Sequence, residues 1–214
     1  MRYCLLLLPP LAESNDAKPT ELAPGISTWA GKLQDLIEPG KLETWSKWLG
    51  DADKSGGGVF DLLIHDIDFA LMLFGLPESV SATGYEDLAL GVDLLNATLY
   101  YSDEFTVVIT GGWHHKKAYP FSMEYTVVAD GGTFEYSSQR GVDVILYDCA
   151  GEKRPVELRK EDGFEAELQY FHSCCVDGSR PNYCPPEDSA AAVKLARLLL
   201  EARKRNGEKI SCRL

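Results

Sequence analysis

Asp61, His65 and Asp68 are spaced i, i+4 and i+7 in a segment whose apolar residues repeat with a helical period. On an α-helix they would fall within about 60° of one another and form one polar stripe beside the apolar face. Two carboxylates flanking an imidazole favour its charged form, and the ordinary histidine pKa near 6.5 suits proton transfer at neutral pH. The stripe is a candidate acid/base site, with His65 exchanging the proton and Asp61 beside it. Two other readings stay open. Asp61 would favour the helix N-terminus electrostatically while His65 and Asp68 are solvated or otherwise satisfied. Alternatively, all three would ligate a metal, although zinc and iron sites usually recruit ligands from more than one element. No metal site is assigned.

Other residues with chemical potential are more dispersed. Trp113-His114-His115-Lys116-Lys117 follows an apolar strand and concentrates His and Lys, so it would either line a polar ligand pocket or form a solvated loop. Trp113 and His114 are its candidates for touching a substrate. His172-Ser173-Cys174-Cys175, with Cys184 beyond, could offer metal ligands, but a helix end with small buried thiols explains it more simply. Asn96-Ala97-Thr98 matches a glycosylation sequon but lies in a predicted strand, and is set aside.

The elements that must position these residues follow from periodicity. Phe60, Leu63, Ile64, Ile67, Leu71 and Phe74 occupy one face of a 3.6-residue period, which predicts a helix from Val59 to Phe74. The turn-rich segment Asp51 to Gly58 leads into it, and Gly75 with Pro77 ends it. The period then changes to 2, in Leu95, Ala97, Leu99 and Tyr101 and again in Phe105, Val107 and Ile109. Met123, Tyr125 and Val127 lead into Asp130-Gly131-Gly132, a hairpin signal, from which Phe134 and Tyr136 return, and Val142, Val144 and Leu146 form a further strand. Helices at Gly163 to Cys175 and Glu187 to Arg205 close the chain. This order predicts an α+β fold: a predominantly antiparallel open sheet of about six strands with helices packed on one face. It contains no Rossmann domain, since Gly56-Gly57-Gly58 neither follows a strand nor has the GxGxxG spacing. The mixed outer face, with Thr106, Val108 and Thr110, is a candidate oligomer interface.

Composition bounds the function. The 214 residues allow one domain with a substantial core, or two small ones. A net charge of −12, unrelieved by any basic stripe with interleaved aromatics, disfavours nucleic acid and anionic membrane surfaces as partners. Six cysteines without CxxC spacing read as reduced thiols of a cytoplasmic protein. Arg2 precedes Leu5-Leu6-Leu7-Leu8, but Pro9-Pro10 interrupts that run and no small-x-small cleavage site follows, so it is not read as an export signal. No apolar stretch approaches the roughly 20 residues of a membrane span.

The run Lys54-Ser55-Gly56-Gly57-Gly58-Val59-Phe60-Asp61-Leu62-Leu63-Ile64-His65-Asp66-Ile67-Asp68 resembles the hallmark segment of the Gfo/Idh/MocA oxidoreductases, in which a glycine-rich turn leads to Asp-x3-His on a helix. Phe74-Gly75 with Pro77, the run of strands, Asp130-Gly131-Gly132-Thr133-Phe134, the Phe164 to Phe171 helix and Pro185-Pro186-Glu187-Asp188 are similar to that family's C-terminal domain. The resemblance covers roughly Trp45 onward and divides the chain into an irregular leader or arm, 1–44, and a C-terminal α/β domain, 45–214. It implies an NAD(P)-dependent oxidoreductase of sugars, inositols or related polyols. By the same resemblance His65 would take the hydroxyl proton as hydride leaves the same carbon for the nicotinamide. Asp61 would orient substrate and tune the imidazole, and Asp68 would contact a further hydroxyl.

The family's cofactor domain and its Glu-Lys-Pro motif would lie upstream of Asp61. Lys18-Pro19 falls in the leader, too close to the helix and without a preceding Rossmann fold, so its lysine is not carried over. No residue is assigned to NAD or NADP. The expectation is a C-terminal domain that keeps the Asp/His pair and needs a separate Rossmann-domain partner for turnover. The alternative is a non-catalytic carbohydrate-binding or oligomerisation module. Either would take a small polyhydroxylated ligand and form a homodimer or higher oligomer through the open sheet.

Overall fold

The computed structural model of the chain describes residues 4–8, 52–101, 105–116, 118–141, 143–157, 163–183 and 185–213. After β1 (Cys4–Leu8) come a short helix α1 (Ala52–Ser55), a π-turn (Val59–Leu63) and helix α2 (Ile64–Phe74). Then follow β2 (Ser79–Asp87), β3 (Val92–Tyr100), β4 (Thr106–Trp113), β5 (Glu124–Ala129), β6 (Gly132–Ser137), β7 (Ile145–Asp148) and β8 (Lys153–Pro155). Helices α3 (Gly163–Asp177) and α4 (Pro186–Lys204) and strand β9 (Ile210–Ser211) complete the order.

Among the described residues these strands form one nine-stranded sheet, ordered β8-β7-β6-β5-β1-β4-β3-β2-β9. Neighbours are antiparallel except β1 and β5, which run parallel. The α+β class and the antiparallel character agree with the sequence reading, whereas the strand number does not. In β2 only Val80 and Ala82 alternate inward before Gly84 interrupts the run, too short a pattern to signal a strand. β8 and β9 are three and two residues long, too short for a periodic signal. β1 corrects the irregular leader assigned to 1–44. Its leucines do not alternate with polar residues, so it reads from sequence as an apolar run of no particular element. In the fold it joins two four-stranded halves by pairing with β4 on one side and β5 on the other. The remainder of that leader, with Lys18 and Pro19, lies outside the described residues, as does Val142 of the predicted 142–146 strand.

The core lies between one face of β2, β3 and β4 and the helical layer. Leu95, Ala97 and Leu99 of β3 alternate inward, in register with Val80 and Ala82 of β2 and Val107 and Ile109 of β4. Against them pack Val59 and Leu63 of the π-turn, Ile67 and Ala70 of α2, and Ala192, Leu195, Ala196, Leu199 and Ala202 of α4. The small residues of α4 let its backbone approach sheet and α2 together. Thr106, Val108 and Thr110 fall on the opposite face and are half-buried. Asp130-Gly131 forms the anticipated tight turn, with Ala129 paired to Gly132.

Two helix expectations need correction. The segment from Val59 to Phe74 is not one α-helix, since its first five residues form the π-turn. Its far end is as anticipated: Gly75, at φ +72°, donates its N–H to the Leu71 carbonyl 2.8 Å away and stops the helix. Helix α3 has the predicted amphipathic spacing but is not packed into the core, with Phe164 80% and Phe171 56% exposed. An apolar stripe states that a face is apolar, not what covers it.

Candidate active site on the glycine-led helix

The site begins with the backbone. Gly56 and Gly57 have φ of +71° and +76°, a left-handed conformation that side chains resist. Space excludes them as well: a Cβ on Gly57 would stand 2.5 Å from Asp93 Oδ2, and one on Gly58 would stand 3.1 Å from the Trp113 backbone nitrogen. The turn is fastened by Ser55 Oγ, which accepts the Gly57 N–H at 3.1 Å, and by Asp93 Oδ2, which accepts the Val59 N–H at 3.3 Å. From there the chain winds into the π-turn, a wider helical step that recurs at functional sites.

Asp61 lies in that π-turn, and the indole of Trp113, at the end of β4, donates from Nε1 to Asp61 Oδ2 at 3.1 Å. Trp113 is only 6% exposed, so its edge is committed to the carboxylate. His65 and Asp68, on α2, are both exposed, while Asp61 is half-buried. Asp61 is thus an anchored carboxylate in the π-turn, and the helix that follows it carries an imidazole and a second carboxylate that open to solvent. Such an arrangement offers hydrogen-bond acceptors to neighbouring hydroxyl groups, on an element whose orientation is set from below.

His114 follows Trp113 and is half-buried, with Nδ1 enclosed and lacking a hydrogen-bond partner. Burial lowers its pKa, which keeps the imidazole neutral at physiological pH. Its ring lies 4.1 Å from that of His115, which stacks on Tyr119 at the same separation. Lys117 and Cys184 lie outside the described residues. His172 and Cys175 are exposed and Cys174 is buried, and among the described residues no group of His, Cys, Asp or Glu is placed to hold a metal ion. Asn96 lies within β3 and accepts a hydrogen bond from Thr110.

Three residues of the site region were not singled out from sequence. Asp93 is 1% exposed and pairs with Arg203 of α4, whose Nη1 lies 2.5 Å from Asp93 Oδ1. Arg203 also donates to the Leu94 carbonyl at 3.3 Å and to Glu86. Both charges sit where apolar residues belong. Asp93 shares the inward parity of Leu95, Ala97 and Leu99, and Arg203 follows Leu199 by four on the buried stripe of α4, so two opposite charges at core positions were the signal available. The third is Asp66, adjacent to His65, whose carboxyl burial pushes up to about 7.

Fold and sequence can be set beside known proteins. Residues 34–135 match the GFO/IDH/MocA C-terminal domain, a match that starts within the segment assigned to the leader. Over that stretch the chain is similar to the C-terminal domain of the Gfo/Idh/MocA family. Among curated proteins, none is similar enough in sequence to match it. Solved structures share its fold. UDP-N-acetylglucosamine 3-dehydrogenase GnnA from Acidithiobacillus ferrooxidans has a TM-score of 0.62 at 16% identity, over 95% of this chain and 53% of its own. A protein assigned as an NADPH-dependent oxidoreductase from Desulfitobacterium hafniense has a TM-score of 0.64 at 14% identity, over 77% and 51%. One assigned as an oxidoreductase from Klebsiella pneumoniae has a TM-score of 0.56 at 20% identity, over 83% and 53%. The chain thus spans about half the length of these relatives.

A nicotinamide dinucleotide, the cofactor of this family, binds its pyrophosphate on free backbone N–H groups at a glycine turn and helix N-terminus. The glycine turn described here does not fit that task. Its Val59 N–H is already given to Asp93, and a phosphate approaching Gly57 would meet that carboxylate.

Proposed function

We propose that this chain is the substrate-side domain of an oxidoreductase acting on a polyhydroxylated compound such as a sugar or polyol. His65 accepts the proton of the reacting hydroxyl, Asp61 orients the substrate beside it, and Asp68 accepts a hydrogen bond from a neighbouring hydroxyl. The observation that carries this reading is the indole of Trp113 holding Asp61 at the foot of a helix on which His65 and Asp68 stand open to solvent. An imidazole open to solvent can be reached by a hydroxyl group, and a carboxylate fixed by a buried donor does not have to be ordered when substrate arrives. The chain's own share of the reaction is the grip on the hydroxyls and the proton. The hydride acceptor comes from a partner that carries a nucleotide site, consistent with the misfit of the glycine turn. His114 borders the site as a neutral side chain, able to accept or donate one hydrogen bond to substrate. The face of Thr106, Val108 and Thr110 pairs with a second copy.

The test is a binding titration of the full chain, labelled with nitrogen-15, against glucose, myo-inositol and UDP-N-acetylglucosamine. At least one should shift resonances of the α2 segment around His65, and Asp61→Asn and His65→Ala should each abolish the shift. Saturable binding that survives both substitutions would place the ligand elsewhere and refute the assignment. Binding that needs both residues, but gives no turnover with any nucleotide-bearing partner, would favour a carbohydrate-binding module.

A further inference from the structure

The described residues contain one ion pair buried on both sides, and it sits behind the site rather than in it. Asp93, on β3, spends its two carboxylate oxygens separately. Oδ1 receives Arg203 Nη1, and Oδ2 receives the Val59 N–H while filling the space that a Gly57 side chain would occupy. Arg203 comes from the last turn of α4 and reaches back 110 residues in sequence to do so. Its guanidinium is 6% exposed and is completed by the Leu94 carbonyl and by Glu86, so its donors are spent on three acceptors around one strand end.

A buried ion pair is a poor device for stability, because desolvating both charges offsets most of their attraction. It is a good device for geometry, since each partner is held in one orientation by charged hydrogen bonds. Here the fixed object is the first turn of the segment that bears Asp61. The glycines leave that turn free to move in φ and ψ, and the Asp93 carboxylate removes the freedom. Two residues beyond Val59 lies Asp61, tied to the Trp113 indole by a bond of 3.1 Å that a small rotation of the turn would break.

We propose that Arg203 and Asp93 are positioning residues for the candidate active site: the pair locks the glycine turn so that the π-turn delivers Asp61 onto Trp113. The end of α4 thereby sets the aim of the Asp61 and His65 stripe. The role assigned to that stripe rests on the function proposed above, but the mechanical linkage does not.

The test reads the Trp113 indole N–H resonance in the full nitrogen-15-labelled chain, assigned by its disappearance in Trp113→Phe. Asp61→Asn defines the position of the resonance when its acceptor is lost. Arg203→Gln should move the signal at least half of that distance, and Arg203→Lys, which keeps the charge but not the fork, should move it less in the same direction. Leu199→Ala, which opens a cavity one turn earlier on the same helix, serves as the destabilised control and should leave the resonance in place. The proposal is overturned if folded Arg203→Gln keeps the wild-type resonance, or if Leu199→Ala displaces it equally. Should Arg203→Gln fail to fold, Arg203→Lys decides alone: an unmoved resonance overturns the linkage. No turnover is measured, so loss of the proposed function with the linkage intact, or the reverse, is directly visible.

Discussion

Replacing Asp66 with Asn should stabilise the chain above neutral pH and do little in acid. Burial raises the Asp66 carboxyl from an ordinary 3.8 to about 7, so the folded protein retains a proton that the unfolded chain releases. Between these two values the native state binds more protons than the unfolded state, and stability therefore falls as pH rises. Three pKa units correspond to about 4 kcal/mol at 1.36 kcal/mol each, with about 2 kcal/mol as the lower bound because the side chain keeps some contact with water. Asn carries no such penalty and resembles the protonated acid in shape and hydrogen bonding. Urea unfolding of the two chains at pH 4, 6 and 8 would separate this group from every other, because the remaining carboxylates cancel in the difference. The expected curve is a difference near zero at pH 4 that grows in favour of Asp66→Asn and levels off above pH 7. A difference that is flat across the range, or that favours the wild type at pH 8, would refute the reasoning.

Leu199 is fully buried between sheet and α2, and Leu199→Ala should cost about 2 to 5 kcal/mol by the same measurement. Gly57→Ala combines a left-handed φ with a Cβ 2.5 Å from Asp93 Oδ2, and should cost at least about 1 to 3 kcal/mol while broadening or shifting the Trp113 indole resonance. Val108→Asp places a charge in the middle of the outer sheet face. If that face pairs two copies, sedimentation velocity will show the wild type heavier than the variant; equal masses would remove the proposed interface.

Asp61, His65 and Asp68 are candidates on a helical period and three residue types, both of which are local, although Asp61 falls in the π-turn and not on the α-helix that bears the other two. The glycine turn and the stop at Gly75 were legible for the same reason, since a left-handed backbone position selects glycine whatever the surroundings. The alternation in β3 and β4 predicted the buried face correctly, because each inward position is set by the pleat. The π-turn was not legible. An apolar spacing of i, i+3 and i+4 fits a continuous α-helix, and the tether that begins the segment differently comes from Asp93, far along the chain. Strand β1 escaped because partners on both sides, and not its own pattern, make it a strand. Helix α3 showed the opposite failure, in that its spacing was right and its burial was not.

The sequence by itself therefore determined the class of fold, the resemblance to a family, the candidate polar residues and the places where glycine was required, all of which depend on near neighbours along the chain. Only the tertiary structure decided that Trp113 would hold Asp61, that Asp93 would fill the space at the glycine turn, and that Arg203 would close the arrangement from the far end of α4. Those contacts join residues many tens of positions apart, and periodicity carries no record of which buried donor meets which buried acceptor. The charges at core positions announced that partners were needed; folding selected them, because a buried charge without one is too costly to keep.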